Sequence, residues 1–138
     1  MKFSVLISTY FYDRPDYLDN ALRSIWDNQS LKPNQIVLVK DGPLSKKLDN
    51  VVSVWEKKLK KKINVVPILS NVGLGKALNL GLNHCKYDLV ARMDSDDISL
   101  PERFLKQINF FKNNSHVDIL GGWGKIINDK NIEVDKRT

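Results

Sequence analysis

The sequence predicts an α/β fold, a mainly parallel open sheet flanked by helices, in one domain over residues 1–138. Three observations predict it. Short apolar runs alternate four times with segments of helical periodicity, which requires right-handed crossovers and places helices on both faces of the sheet. Each of the four runs gives way at its C-terminal end to polar or glycine-rich residues. A length of 138 residues with 42% hydrophobic and 28% charged residues suits a single globular core and argues against disorder or a repeat array.

Phe3-Ser4-Val5-Leu6-Ile7 reads as a buried first strand, and Pro15 opens a helix with Leu18, Ala21, Leu22, Ile25 and Trp26 on one face. Ile36 to Val39 is the second strand. Leu48, Val51, Val52, Trp55 and Leu59 then recur at helical spacing, before a third strand from Ile63 to Leu69 in which Pro67 marks an edge or an irregularity. A third helix begins near Gly73 and is expected to bury Leu74, Ala77, Leu78, Gly81, Leu82 and Cys85. Tyr87 to Met93 forms the fourth strand. Ser99 and Glu102 have capping-box spacing with Pro101 in the first turn, ahead of a helix marked by Phe104, Leu105, Ile108 and Phe111. Val117 to Leu120 is read as a fifth strand, and Lys125–Ile127 with Ile132–Val134 as a hairpin around Asn128–Asn131.

The net charge of +6 and pI near 9.4 favour an anionic partner. Lys57, Lys58, Lys60, Lys61 and Lys62 close the second helix, as a solvated end favoured by the helix dipole or as a patch for a membrane surface. Nucleic acid is not expected, because no aromatics interleave with these lysines and no recognised motif accompanies them. No apolar stretch approaches the roughly 20 residues of a membrane span, and Met1-Lys2-Phe3 runs straight into a strand. The expectation is a cytoplasmic chain, peripheral at most on the cytoplasmic membrane face. Cys85 is the lone cysteine and reads as a packing residue.

In an open parallel sheet, ligands bind outside the carboxyl ends of the strands. The residues delivered there are Ser8, Thr9 and Tyr10, then Asp41 and Gly42, then Asn71 and Gly73, then Asp94, Ser95, Asp96 and Asp97. The last group puts three carboxylates in four residues, a place for a divalent cation that holds a phosphate. A solvated acidic turn with Asp97 or Ser99 as a helix cap explains the same spacing. Tyr10 suits stacking on a base, or a place in the core. Asp41 suits accepting a base N–H, or a plain Asp-Gly turn. Lys76, in the first turn of the third helix, would help neutralise a pyrophosphate or is simply solvated.

Taken in register, Val5-Leu6-Ile7-Ser8-Thr9-Tyr10, Lys40-Asp41-Gly42-Pro43, Asn71-Val72-Gly73-Leu74-Gly75-Lys76-Ala77-Leu78-Asn79 and Asp94-Ser95-Asp96-Asp97 followed by Leu100-Pro101-Glu102-Arg103 carry a family resemblance. The chain resembles the N-terminal, nucleotide-binding part of a family 2 glycosyltransferase with the GT-A fold. The resemblance implies a nucleotide-sugar donor, a UDP-sugar by way of Asp41, and Mn²⁺ or Mg²⁺ as cofactor. It makes Thr9, Tyr10 and Asp41 nucleoside contacts, Asp94 a contact to the ribose or metal shell, and Asp96 the direct metal ligand. Ser8, Asn71, Gly73, Lys76 and Ser95 complete the implied substrate-binding set. The implied acceptor is a saccharide or a lipid-linked saccharide, and the implied stereochemistry inverting.

Two residues depart from the family pattern. Lys40 stands where members often have an acid, and Leu78 where many have an arginine. The resemblance implies a carboxylate base well beyond the fifth strand, past Thr138, with Glu133 and Asp135 in the hairpin as poor substitutes, so the fold is expected to be truncated and the chain to bind donor without transferring sugar efficiently. The rival reading is a catalytically silent nucleotide-binding or assembly module. A receiver-like domain fails because Ser8-Thr9-Tyr10 occupies the place of its acidic pair. The sequence does not set the oligomeric state.

Overall fold

The computed structural model describes residues 1–137 and divides into two compact units, Met1–Lys106 and the segment from Gln107 onward. The first unit holds β1 (Phe3–Thr9), α1 (Pro15–Ile25), β2 (Gln35–Lys40), α2 (Lys46–Leu59), β3 (Ile63–Pro67), α3 (Leu74–Leu82) and β4 (Leu89–Asp94). The four strands form one parallel sheet in the order β3-β2-β1-β4. The mainly parallel sheet flanked by helices is therefore the observed architecture.

The order explains where each helix lies. The β1-α1-β2 and β2-α2-β3 crossovers step the same way across the sheet, so right-handedness puts α1 and α2 on one face; the return from β3 to β4 puts α3 on the other. Val5, Ile7, Ile36 and Leu38 are fully buried, as are Leu18, Ala21, Leu22 and Ile25 of α1 and Leu48 of α2. Trp55 of α2 donates its indole N–H to Asp19 of α1 at 2.8 Å. Burial alone would raise the Asp19 carboxyl, but the bonds from Trp55 and Arg23 and the charge of Lys58 outweigh it and hold the group below the usual carboxylate range.

On the opposite face Leu6, Val37, Val39 and Ala77 form the core. Leu74 and Leu82, expected to be buried, are each 49% exposed, whereas Ala77 and Gly81 are buried. The contact stripe is built of small residues. A Cβ on Gly81 would lie 2.5 Å from Val39 Cγ2 and 2.6 Å from Leu6 Cδ1, so the glycine lets α3 approach the sheet closely, with Leu78 half-buried against the same cluster. Cys85 is half-buried beside this cluster, and burial pushes its thiol above the ordinary value, which suits packing rather than reactivity.

Pro67 is the last residue of β3, an edge strand, where its missing N–H costs no ladder bond. Lys60–Lys62 form a 3-10 turn after α2, so the five lysines lie beside the start of β3, at the rim opposite the strand C-termini. No described helix is long and apolar enough to cross a membrane.

α4 (Arg103–Asn113) starts later than the expected capping box. The Ser99 hydroxyl accepts from Arg103 Nη1 at 2.9 Å instead of capping, and Glu102 pairs with Lys106 at 3.2 Å. In the second unit, β5 (Gly124–Ile127) and β6 (Glu133–Arg137) form the expected antiparallel hairpin. The Asn128 carboxamide oxygen accepts from Lys130 N and Ile132 N, and Asn131 adopts φ +62°. Residues 117–120 form no strand, and Ile119 is 90% exposed. Without a ladder to satisfy its backbone, this short apolar run stays irregular.

Candidate functional site

β1 pairs with β2 on one side and β4 on the other, and the strand order reverses between β1 and β4. Such a switch point is where open parallel sheets bind ligands, in the crevice outside the carboxyl ends of the strands. Register sets Ser8 beside Asp94 and Thr9 beside Lys40, which aligns three strand ends at one rim. A cleft of about 420 Å³ lies there, lined by Ser8, Thr9, Tyr10 and Asp13 after β1, by Asp41 after β2, by Asn71, Gly73 and Leu74 before and at the start of α3, and by Asp94, Ser95 and Asp96 after β4.

Asp41 is only 4% exposed, and its carboxylate fastens the loop that enters α3. Oδ1 accepts from Val72 N at 2.8 Å, while Oδ2 accepts from Gly73 N and Asn71 Nδ2, both at 3.2 Å. Two backbone donors and one side-chain donor satisfy the buried charge and leave Oδ1 a further lone pair. Gly42 permits the turn at φ +83°, and Gly73 leads into α3 at φ +92° without a side-chain cap. Gly75 lies inside α3 without a positive φ, and a Cβ there would meet no protein atom within 4 Å. Lys40 alternates to the other side of the strand from Asp41, where its Nζ lies 2.7 Å from Asp49 Oδ1 of α2. The lysine that departs from the family's acid is thereby matched by an acid of its own, in a part-exposed pair worth under about 1 kcal/mol.

Asp13 was not singled out by sequence. Its position before Arg14-Pro15 reads as an ordinary helix entry, yet Arg14 is the N-cap residue and Asp13 turns back to the sheet. Its Oδ2 accepts from Thr9 Oγ1 at 2.8 Å, Tyr10 N at 3.1 Å and Ser95 Oγ at 2.8 Å. The one available signal was an acid within a turn of the first strand end, ahead of a proline-opened helix.

Asp94, Asp96 and Asp97 each offer a carboxylate oxygen, and these atoms lie within 4.8 Å of one another. The donor set is all oxygen, which suits a hard divalent cation such as Mg²⁺ or Mn²⁺, and the spacing fits coordination of one ion. Asp94 Oδ1 also accepts from Arg92 Nη2 at 3.2 Å, a part-exposed contact. Behind the turn, Arg103 donates to Ser99 Oγ and to the Arg92 carbonyl, both at 2.9 Å. Burial draws its guanidinium below the ordinary value, and the negative charge of Asp97 opposes that shift.

The cleft thus brings together nine of the ten residues expected from sequence: Ser8, Thr9, Tyr10, Asp41, Asn71, Gly73, Asp94, Ser95 and Asp96. Lys76 is exposed in the first turn of α3 and does not line it. Tyr10 is 42% exposed rather than a core residue, with its ring edge-on to that of Tyr12.

The model of the family described as glycosyl transferase family 2 matches residues 4–137. Amylovoran biosynthesis glycosyltransferase AmsE of Erwinia amylovora is 47% identical over 119 residues, 86% of this chain and 44% of the relative. The UDP-Gal:alpha-D-GlcNAc-diphosphoundecaprenol beta-1,3-galactosyltransferase of Escherichia coli is 41% identical over 122 residues, 88% and 43% of the two chains. Among solved structures, S. aureus TarS 1-349 in complex with UDP superposes with TM-score 0.71 at 27% identity, covering 83% of this chain and 33% of that one. Its complex with UDP-GlcNAc gives 0.67 at 28%, covering 83% and 32%. The chain spans less than half the length of these relatives.

Proposed function

We propose, for a chain that belongs to glycosyl transferase family 2, that the cleft binds the diphosphate and nucleoside of a UDP-sugar together with Mn²⁺ or Mg²⁺. The observation that carries this reading is the assembly of Asp13, Asp41, Asp94 and Asp96 in one cleft at the sheet's switch point. A diphosphate carries like charge, so it enters such a cleft only with a cation between. Asp94 and Asp96 would hold that cation, with Asp97 beside them; once bound it would offset the negative charge that builds on the departing diphosphate.

The chain's own residues do the positioning. The exposed ring of Tyr10 offers a stacking face for the base beside the buried Thr9 hydroxyl. Asp41 supplies the lone pair left on Oδ1 to the N–H of uracil, and a base that presents an acceptor there would set its own lone pair against the carboxylate and lose that bond. The uncapped N–H groups at the start of α3, next to Gly73 and Leu74, offer donors to phosphate oxygens. Ser8, Asn71 and Ser95 line the same space, with Lys76 at its margin.

The full reaction is inverting transfer of the sugar to a saccharide or lipid-linked acceptor, in polysaccharide or glycoconjugate synthesis. UDP and UDP-GlcNAc in the TarS complexes and the diphosphoundecaprenol substrate of the E. coli relative support that choice. No residue of this chain is assigned as the base. Residues 1–138 serve as one donor-binding segment of a cytoplasmic protein. The lysines from Lys57 to Lys62 would favour contact with an anionic membrane face, and no nucleic acid is involved.

Isothermal titration with UDP tests the reading. Binding should require Mn²⁺, vanish with chelator, and weaken at least about tenfold in Asp96→Ala, about 1.4 kcal/mol. Equal affinity with and without metal, or in the variant, would remove the metal from the account.

A further inference from the structure

Three donors converge on a single oxygen of Asp13, and they come from two strand ends far apart in sequence. Thr9 Oγ1 and Tyr10 N belong to the end of β1, and Ser95 Oγ to the acid turn after β4, 82 residues from Asp13. Ser95 lies between Asp94 and Asp96 in that turn, whose backbone closes from Asp97 N to Asp94 O at 3.3 Å. The Ser95 hydroxyl thus ties to Asp13 the same turn that carries the carboxylates on either side of it. On the other strand, the same oxygen fixes the rotamer of a hydroxyl whose residue is 1% exposed and the peptide that aims Tyr10. A carboxylate oxygen that accepts three bonds has no capacity left for a fourth partner, so this atom serves the protein rather than a ligand.

We propose that Asp13 is a positioning residue that couples the nucleoside end of the cleft to its cation end, so that each ligand tightens the other. The inference rests on the cleft being a nucleotide and cation site. A nucleotide that orders Thr9 and Tyr10 fixes the Asp13 carboxylate, which fixes Ser95 and with it Asp94 and Asp96. The coupling is reciprocal by linkage, so the factor by which Mn²⁺ strengthens UDP binding equals the factor by which UDP strengthens Mn²⁺ binding. Part of that factor comes from direct contact between phosphate and cation; the part that runs through Asp13 disappears when its bonds are cut.

The experiment measures UDP affinity with and without Mn²⁺, and Mn²⁺ affinity with and without UDP, in the native chain, Asp13→Asn, Ser95→Ala, Ser95→Thr and the Asp13→Asn/Ser95→Ala pair. Melting temperature is followed in each. The expected result is a mutual enhancement factor reduced about fivefold or more in Asp13→Asn and in Ser95→Ala, no further reduction in the pair, and recovery in Ser95→Thr, which keeps the hydroxyl. A purely structural role would lower the melting temperature or weaken both ligands by one common factor with the enhancement unchanged, and that result overturns the coupling. Retained enhancement in Ser95→Ala overturns it even where Asp13→Asn does not fold. Absence of UDP and Mn²⁺ binding in the native chain would instead overturn the donor-site reading beneath it.

Discussion

Asp41→Ala is expected to lower the stability of the chain by about 3 kcal/mol and to abolish measurable UDP binding. The carboxylate is buried and accepts from Val72 N, Gly73 N and Asn71 Nδ2. A hydrogen bond to a charged group is worth roughly 1.5–3 kcal/mol, and truncation leaves part-buried backbone donors without an acceptor. The three bonds act on one loop and do not add, which sets the expected loss near the value of one or two of them. Asp41→Asn keeps the shape but presents an NH₂ group to one set of donors, so it should lose most of the UDP affinity with a smaller loss of stability. Urea denaturation with an unchanged m-value, followed by UDP titration, checks both. A stability change within about 0.5 kcal/mol in Asp41→Ala would mean that the loop is held by something else.

Gly42→Ala is expected to cost about as much, for a steric reason. The residue sits at φ +83°, where a side chain costs roughly 1–2 kcal/mol, and its Cβ would stand 2.7 Å from Asn71 N and 3.2 Å from Asn71 Cα and Ser70 C. All three atoms are backbone, so no rotamer change relieves the contact. The segment that must yield is the one Asp41 fastens, and UDP affinity should fall along with stability. Gly75→Ala is the matched control. Its Cβ meets nothing within 4 Å and the residue lies inside α3, so alanine should be neutral or stabilise by up to about 1 kcal/mol. Equal thermal stability of the two variants would contradict the account of this turn.

The alternation of buried runs with amphipathic helices was enough to read the α/β sheet, because residues such as Val5, Ile7, Ile36 and Leu38 are apolar for the reason the sequence suggests: they are enclosed between layers. Pro67 marked an edge correctly, since an edge is where a strand tolerates a proline. The failures have physical causes too. Leu74 and Leu82 kept helical spacing, but Gly81 lets α3 lie close to Leu6 and Val39, where Ala77, Gly81 and the half-buried Leu78 make the contact. Ser99 and Glu102 had capping-box spacing, yet the nearby guanidinium of Arg103 took the hydroxyl. Val117 to Leu120 had strand composition, but no strand among the described residues pairs with it.

At the cleft, the strand ends were legible because parallel topology dictates where they gather. Asp41 was legible as a polar group at a strand end, but its bonds to residues 71–73 depend on a loop about 30 residues away, which no local pattern reports. Asp13 was missed for the same reason. The partner that gives it meaning, Ser95, is brought near only by the pairing of β1 with β4.

The most direct test of the donor cleft is an amide NMR map of the 138-residue chain with UDP and Mn²⁺. The account predicts that Mn²⁺ broadens the amides of Asp94 to Asp97 first, and that UDP with diamagnetic Mg²⁺ shifts Thr9, Tyr10, Val72 and Gly73. Signals at the opposite rim, Lys60 to Lys62, should stay where they are. Shifts concentrated on those lysines, with residues 8–10 and 94–97 unmoved, would contradict it.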